Sequence, residues 1–268
     1  MSKRIALTVD VEPDWGVRGT RAFQEVTPRF LRFLEGRQAR ATFFVVSDLM
    51  DVCPQTIGAV AQRNEVGSHG RSHRLLDRLG PVELRRELRD SRERLDECGR
   101  KVQGFRAPFF RRCSGFFERV AEAGYRYDAS LGSVTPGPWN GRLNGLPSPF
   151  RVNGVYEFPT CAMGGGLLPL SLTWLRLCGP LTWKLLPSSP TLLYLHLHEF
   201  LPPETASCLP TALRRVLTRN CGEAAWAILG RAMDAMDAEF TTCGEILDDH
   251  LEQGRQEGPR RNGQHRGE

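Results

Sequence analysis

The chain has 268 residues, of which 40% are hydrophobic and 25% are charged, and its formal net charge is +5. These fractions are typical of a soluble globular protein, and the length suits a single α/β barrel. The positive charge is dispersed and comes almost entirely from arginine, with no basic stripe between aromatic residues, so no nucleic-acid partner is expected.

The predicted elements alternate between apolar strands and amphipathic helices. In chain order they are strand 5–11, helix 27–37, strand 41–47, helix 53–63, strand 64–69, helix 81–98, strand 104–108, helix 114–124, strands 125–130, 155–160 and 191–200, and helices 207–220 and 223–240. This order, without a glycine-rich phosphate loop, predicts a parallel sheet with helices outside, closed or nearly closed into a barrel.

Two segments carry no such pattern. Residues 132–149 are rich in Gly, Pro, Asn and Ser, which predicts a long loop of the kind that is often functional. Residues 254–268 are polar and poor in apolar side chains, which predicts a disordered tail after one domain of residues 1–253.

Cysteine usage and the start of the chain indicate a compartment. The eight cysteines are scattered and form no Cys-x-x-Cys pair, which argues against a zinc ribbon or a thioredoxin-type site and favours a reducing compartment. The segment 1–15 has no long apolar run, and charged residues and prolines interrupt the leucine-rich segment 167–201. We therefore predict a cytoplasmic protein without a signal peptide or a membrane span.

The candidate functional residues share one placement, at the ends of predicted strands, where parallel barrels carry their catalytic groups. They are Asp10, Glu12, His69, His73, Arg106, Asp128, His196, His198 and Glu199. Asp10 and Glu12 point to the same face of their strand, and two such carboxylates repel unless a cation or a proton relieves them.

Each of these residues taken alone also has a structural interpretation. Asp10 can be a solvated strand cap, His69 and His73 polar residues of a turn, Arg106 a surface ion pair, and His196 a hydrogen-bonded core histidine. Several other catalytic classes find no support, because the chain contains no GxSxG, GxxxxGK[ST] or HExxH motif.

Five segments, in order, resemble the motifs of a known family. LTVDVE, SHGRSH, FRAPFF, YRYDASL and YLHLHEF, within residues 5–251, are similar to the motifs of polysaccharide deacetylases of the NodB-homology class, carbohydrate esterase family 4. The resemblance implies an α/β fold, a distorted (β/α) barrel of about seven parallel strands. It also implies a divalent metal, most often Zn²⁺, and hydrolysis of an N-acyl group, usually acetyl, from an amino sugar.

The resemblance also implies a role for each residue that matches a motif. His69 and His73 would bind the metal, and Asp10 would be the general base. Arg106 would orient and tune Asp10, while Asp128 would orient His196, the general acid.

The first motif departs from the common Thr-Phe-Asp-Asp-Gly, since Val11 fills the place of the second aspartate and Glu12 follows. A subset of the family carries Asp-x-Glu, which assigns Glu12 to the metal. The reverse assignment, with Asp10 on the metal, stays open. His198 stands where one branch of the family has tryptophan, and its role is open.

The expected substrate is an N-acylated amino-sugar polysaccharide or a lipid-linked glycan, and a cytoplasmic location favours the latter. Segment 164–187 carries Trp174 and Trp183 beside Arg176 and Lys184. This segment is interpreted either as a peripheral membrane contact or as a helix pair covering the barrel.

Three rival functions remain at this stage. Two histidines and a carboxylate also serve non-haem iron oxygenases, although those need a different scaffold. A deformylase-type enzyme or a catalytically inactive sugar-binding barrel would keep the same fold. The sequence leaves the oligomeric state open.

Overall fold

The computed structural model describes residues 3–16, 19–132, 149–179 and 182–257. Most of the predicted loop 132–149 and most of the predicted tail 254–268 lie outside these ranges. At the end of the described chain a helix continues to Glu257, past the predicted domain boundary at residue 253.

Most strands of the described residues belong to one curled, largely parallel sheet. The strands are β1 (Arg4–Val11), β2 (Thr42–Val45), β3 (Glu65–Ser68), β4 (Gly104–Phe105), β5 (Tyr127–Asp128), β6 (Phe150–Val152), β7 (Val155–Glu157), β8 (Ala162–Met163), β9 (Leu168–Pro169), β10 (Leu192–His196) and β11 (Glu239–Thr241). The nine-stranded sheet has the order β10-β1-β2-β3-β4-β5-β7-β6, with β11 paired to the start of β1, while β8 and β9 form a separate hairpin.

The sheet is an incompletely closed barrel. Only β6 runs antiparallel to its neighbour, β7, so eight strands are parallel rather than about seven. The predicted distorted (β/α) barrel is confirmed. It stays open between β10 and β6, because no pairing of the described strands joins those two edges.

The helices follow the strands along the chain. They are α1 (Thr27–Gly36), α2 (Pro54–Ala61), α3 (Pro81–Arg85), α4 (Ser91–Asp96), α5 (Phe116–Glu122), α6 (Leu172–Cys178), α7 (Thr182–Leu185), α8 (Thr211–Leu217), α9 (Glu223–Met236) and α10 (Cys243–Glu257). Among the described residues, none of these helices combines the length and the apolar character that crossing a membrane requires.

β1 is buried along nearly its whole length because both faces of the sheet are covered. Leu7 and Val9 belong to the larger hydrophobic cluster, which also contains buried side chains of the surrounding helices. Ala6 belongs to a second cluster with side chains of β2, β5, β10 and α10. Since alternate residues of a strand face opposite sides, Asp10 shares the face of Ala6 and points into the barrel.

Three predicted elements differ from the structure. The predicted helix 81–98 is divided into α3 and α4 by a π-helical turn at Arg86–Asp90. The predicted strand 191–200 ends at His196, and Leu197–Phe200 form a 3₁₀ turn. The predicted helix 223–240 ends early because Asp237 adopts a left-handed backbone conformation, after which the chain enters β11.

Candidate active site

Three side chains of the sequence-predicted set converge at the ends of β1 and β3. Glu12 Oε2 lies 2.7 Å from His73 Nε2 and 3.6 Å from His69 Nε2. These three residues form a cluster whose ligand atoms all lie within 4.8 Å of one another, and no other such cluster of His, Cys, Asp or Glu occurs in the described residues. Glu12, rather than Asp10, is therefore the carboxylate that stands with the two histidines.

The donor atoms of this cluster fit a divalent cation. His69 Nδ1 lies 2.8 Å from the carbonyl oxygen of Arg106, so Nδ1 carries the proton and Nε2 keeps a free lone pair. His73 Nε2 is buried and makes no hydrogen bond of acceptable geometry, although Glu12 lies close to it. Two imidazoles and a carboxylate are the ligand set of hydrolytic zinc sites with open positions.

The electrostatics of Glu12 suit the same use. Burial alone would raise the pKa of Glu12, but the rings of His69 and His73 and the positive charge at His196 hold that pKa well below its usual range. The carboxyl group is thus ionised and available as a ligand at neutral pH.

Glu87 stabilises the loop that carries both histidines through hydrogen bonds. This carboxylate accepts hydrogen bonds from the backbone N–H groups of Arg71 and Ser72, at 2.6 Å and 3.1 Å, and from the Ser72 hydroxyl. Glu87 lies in the π-helical turn between α3 and α4, and such turns are common at functional sites. Gly70 has φ +79, and a Cβ there would meet Glu87 Oε2 at 2.9 Å.

His73 itself has φ +57, a conformation that a non-glycine residue adopts rarely and at a cost. Its ring stacks on Phe109, with centroids 4.5 Å apart. Phe109 also has φ +57 and is half exposed. Strained backbone thus occurs on both sides of the cluster, a pattern that is typical of functional sites.

Asp10 is bound by Arg106 and not by the histidine pair. Arg106 Nη1 donates to Asp10 Oδ1 at 2.6 Å and to the Thr8 hydroxyl at 3.0 Å, and Nε donates to the Ala129 carbonyl at 3.0 Å. The guanidinium lies 4.3 Å from the ring centroid of Phe44. Arg106 therefore links β4 to β1 and to the residue after β5 through the barrel interior, and it leaves Asp10 Oδ2 free.

His196 stands beside Asp10 because β10 pairs with β1 in a register that sets these two residues opposite each other. His196 Nε2 is 3.9 Å from Asp10 Oδ2, and Nδ1 is 3.5 Å from Glu199 Oε1. Burial alone would lower the pKa of His196, but the carboxylates of Glu199, Glu12 and Asp10 raise it to about 9. A histidine with this pKa carries a proton at neutral pH.

Asp128 does not take the place that the resemblance implies. Its carboxylate accepts from the Ser130 backbone N–H at 2.9 Å and the Ser130 hydroxyl at 2.7 Å, and no described contact joins it to His196. Burial raises the pKa of Asp128. Burial and the nearby charge of Asp128 together raise the pKa of Glu157 well above its usual range. The described contacts therefore do not support the prediction that Asp128 orients His196, whereas Glu199 Oε1 lies 3.5 Å from His196 Nδ1.

The structure encloses Arg176, which the sequence placed either at a membrane surface or in a helix pair covering the barrel. Arg176 is 1% exposed, and its Nε donates to Glu199 Oε2 at 2.8 Å. Trp174, in the same helix, is partly buried against the core. Arg176 is therefore unavailable to a membrane surface, and α6 packs as a cover of the barrel.

His198, whose role the sequence leaves open, forms an aromatic stack. Its ring lies 5.0 Å from the ring of His196 and 4.6 Å from the ring of Trp15. Burial and the positive charge at His196 lower the pKa of His198 to about 4, so it packs as a neutral ring against the charged one.

Sequence reasoning overlooked Glu87, named Glu199 only as a candidate at a strand end, and considered Arg176 only for a membrane contact. Glu199 follows His196 by three residues, a spacing at which one helical turn brings a side chain back to the first residue's backbone. That spacing predicts a contact between Glu199 and His196 only if residues 197–200 are expected to form a turn and not a strand. Glu87 and Arg176 lie in long polar or leucine-rich patterns that carry no comparable signal.

Comparison with known proteins agrees with this geometry. A family model described as "Polysaccharide deacetylase" matches residues 1–127. Over 141 residues the chain is 30% identical to the peptidoglycan-N-acetylmuramic acid deacetylase PdaC of Bacillus subtilis. The matched region makes up 52% of this chain and 27% of PdaC. The chain thus spans about a quarter of the length of this curated relative.

Solved structures match the chain in fold. The structure of PdaC from Bacillus subtilis matches with a TM-score of 0.55 at 16% identity, over 95% of both chains. A carbohydrate esterase family 4 pseudoenzyme from Bacillus anthracis matches with a TM-score of 0.54 at 14% identity, over 92% of this chain and 66% of the other. Motifs, matched model, curated relative and fold agree in one direction: the chain resembles the polysaccharide deacetylases of the NodB-homology class, carbohydrate esterase family 4, and shares their fold.

Proposed function

We propose that this chain is a metal-dependent carbohydrate N-deacylase that removes an N-acetyl group from an amino sugar of a polysaccharide or a lipid-linked glycan. One observation carries the proposal: Glu12, His69 and His73 converge, while Asp10 and His196 stand beside them as a carboxylate and a protonated imidazole. That set holds each group that hydrolysis of an amide requires.

Glu12, His69 and His73 would hold a divalent cation, for which Zn²⁺ is the first choice given two imidazoles and one carboxylate. When bound, such a cation supplies Lewis acidity, which polarises the amide carbonyl and makes a water molecule easier to deprotonate. The name of the curated relative, a deacetylase of N-acetylmuramic acid, supports an N-acetylated sugar as the substrate class.

Asp10 and His196 divide the proton transfers. Asp10 Oδ2, which Arg106 leaves free, accepts the proton of the attacking water as a bond forms to the carbonyl carbon. His196 Nε2 donates a proton to the amide nitrogen as the carbon–nitrogen bond breaks, so that the sugar leaves as an amine and the acyl group as a carboxylic acid. Each such transfer contributes on the order of 10²–10⁴ in rate.

The test is release of acetate from N-acetylglucosamine oligomers and from N-acetylmuramic-acid-containing glycan, with Zn²⁺ present and after chelation. We expect release that stops on chelation and returns when Zn²⁺ is restored. Bound metal with no acyl release from this panel would contradict the proposal and favour a sugar-binding barrel. Formate release from N-formyl sugars alone would favour a deformylase, and a requirement for oxygen would favour an iron oxygenase.

A further inference from the structure

Glu199 is the most completely enclosed carboxylate beside the candidate site. It follows β10 in the 3₁₀ turn Leu197–Phe200 and is fully buried. Its Oε1 accepts the backbone N–H of His196 at 3.0 Å and lies 3.5 Å from His196 Nδ1. Its Oε2 accepts from Arg176 Nε at 2.8 Å and from the Thr173 hydroxyl at 3.1 Å.

Arg176, which lies in α6, is also buried and forms an ion pair with Glu199. Its remaining N–H groups donate to the backbone carbonyl of Arg219 at 2.6 Å and to that of Leu217 at 3.2 Å. Removing both ions from water is unfavourable, and replacing a buried ion pair by apolar residues is often neutral or stabilising. The buried ion pair of Arg176 and Glu199 lies next to His196, and this placement indicates a function other than stability.

We propose that Glu199, held by Arg176, is the positioning residue of His196 and fills the role that the family resemblance assigns to Asp128. This inference rests on the proposed function, in which His196 is the proton donor. His196 Nδ1 is buried, has no hydrogen bond of acceptable geometry and faces Glu199 Oε1, so a small approach of the two gives its N–H a carboxylate acceptor and directs Nε2 towards Asp10. The separation of 3.5 Å is within the looser range that catalytic pairs show before substrate binds.

The other groups that face His196 do not replace Glu199. Asp10 Oδ2 lies 3.9 Å from His196 Nε2, on the side where the substrate nitrogen must enter, and Glu12 acts on His196 through its charge. His198 and Tyr194 contact the imidazole through their rings, at centroid distances of 5.0 Å and 6.0 Å. Glu199 is the one charged group that the described contacts place at Nδ1.

The test compares the wild-type protein loaded with Zn²⁺ with its Glu199→Gln variant. The glutamine keeps the shape and can still accept the backbone N–H of His196, but it removes the charge. We expect the pKa of His196, followed by ¹⁵N NMR of the imidazole, to fall by about 1–3 units. We expect kcat for acetate release to fall on the order of 10²-fold with KM within about twofold, since a proton-transfer step is weakened and not binding.

Glu122→Gln is the matched control, because it makes the same change of charge on an exposed side chain of α5 outside the site. Its kcat should stay within about twofold of the wild-type value, and the pKa of His196 should not change. Should Glu199→Gln fail to fold, Glu199→Asp tests the same point: the retained charge should keep the pKa of His196 raised, while the shorter side chain lowers kcat.

An unchanged His196 titration in folded Glu199→Gln, or a shift produced instead by Asp128→Asn, would overturn the assignment. The spectra do not depend on turnover. A wild-type protein that releases no acyl group would therefore contradict the proposed function, while the imidazole titration would still decide the role of Glu199.

Discussion

Asp10 and Glu12 are separated by one residue, yet they meet different partners. Asp10 lies in β1 and is neutralised by Arg106 at 2.6 Å, whereas Glu12 lies just past the strand and meets two imidazoles. The shared face of the strand was predictable from the sequence, and so was the repulsion between two carboxylates on that face. Which partner each carboxylate meets could not be predicted, because it depends on Arg106 crossing the barrel interior.

This division yields a prediction for two matched amide substitutions. Glu12→Gln should lower bound metal to a small fraction of the wild-type content, because one of three ligands loses its charge. Asp10→Asn should keep the metal and lose turnover on the order of 10²-fold or more, because the base is removed. Metal content by mass spectrometry, together with acetate release, checks both. Loss of metal in Asp10→Asn but not in Glu12→Gln would reverse the assignment.

The partner of His196 shows where prediction at the residue scale fails. The residues that we propose as metal ligands and as the base, together with Arg106, all lie at the ends of strands that the sequence pattern marks. Glu199 reaches back to His196 only because β10 stops and a 3₁₀ turn begins. A pattern that continues the strand to residue 200 points Glu199 away from His196, and Asp128 was the expected partner only because the family resemblance implied it.

Among the elements, the loop from His69 to His73 depends most on local backbone geometry. Glu87 binds its backbone N–H groups from the π-helical turn, and Gly70 approaches that carboxylate closely. The strands themselves were predictable, since each is a short buried apolar run. The π-helical turn was not, because its residues fit the same amphipathic period as the helices around it.

Gly70→Ala should therefore disturb the site as well as the fold. A side chain at φ +79, with its Cβ 2.9 Å from Glu87 Oε2, should destabilise the protein by about 1–3 kcal/mol. It should also weaken metal binding, because it moves the loop that carries both histidines. Denaturant unfolding and zinc titration measure the two effects.

Gly58→Ala is the control for this change. Gly58 lies inside α2, and a Cβ there would meet nothing within 4 Å, so alanine should be neutral or stabilising by about 0.5–1 kcal/mol. If Gly70→Ala bound zinc as tightly as Gly58→Ala does, the loop would not be the element that sets the ligand geometry.

At the scale of the whole molecule, the barrel interior contains several buried ionisable side chains. Asp128 and Glu157, on the adjacent strands β5 and β7, are both fully buried, and burial raises the pKa of each. The sequence pattern predicted the parallel barrel because the strand and helix order repeats. It did not predict β11 or α10, because Asp237 ends α9 through a backbone conformation that no periodicity marks.

These carboxyls make stability depend on pH. The pKa of Glu157 in the folded protein lies well above its ordinary value of 4.5. The contribution of Glu157 to stability is therefore complete below pH 4.5 and is lost as pH rises towards the pKa in the folded protein. The free energy of unfolding should fall as pH rises above about 5, by up to about 1 kcal/mol per pH unit for one such group. Glu157→Gln should show a smaller fall.

Urea unfolding at pH 5, 6.5 and 8 measures this difference. Glu122→Gln, on an exposed side chain, is the matched control. Equal slopes for wild type and Glu157→Gln would mean that the buried carboxyl is ionised in the folded protein.

The position of β1 has a consequence for how the protein is made. β1 lies between β2 and β10, but β10 is about 180 residues later in the chain. At about 5–20 residues per second of synthesis, one edge of this apolar strand waits on the order of 10–40 s for its partner. During that interval the edge is open to pairing with other chains, so newly made protein should depend on chaperones more than the finished barrel does.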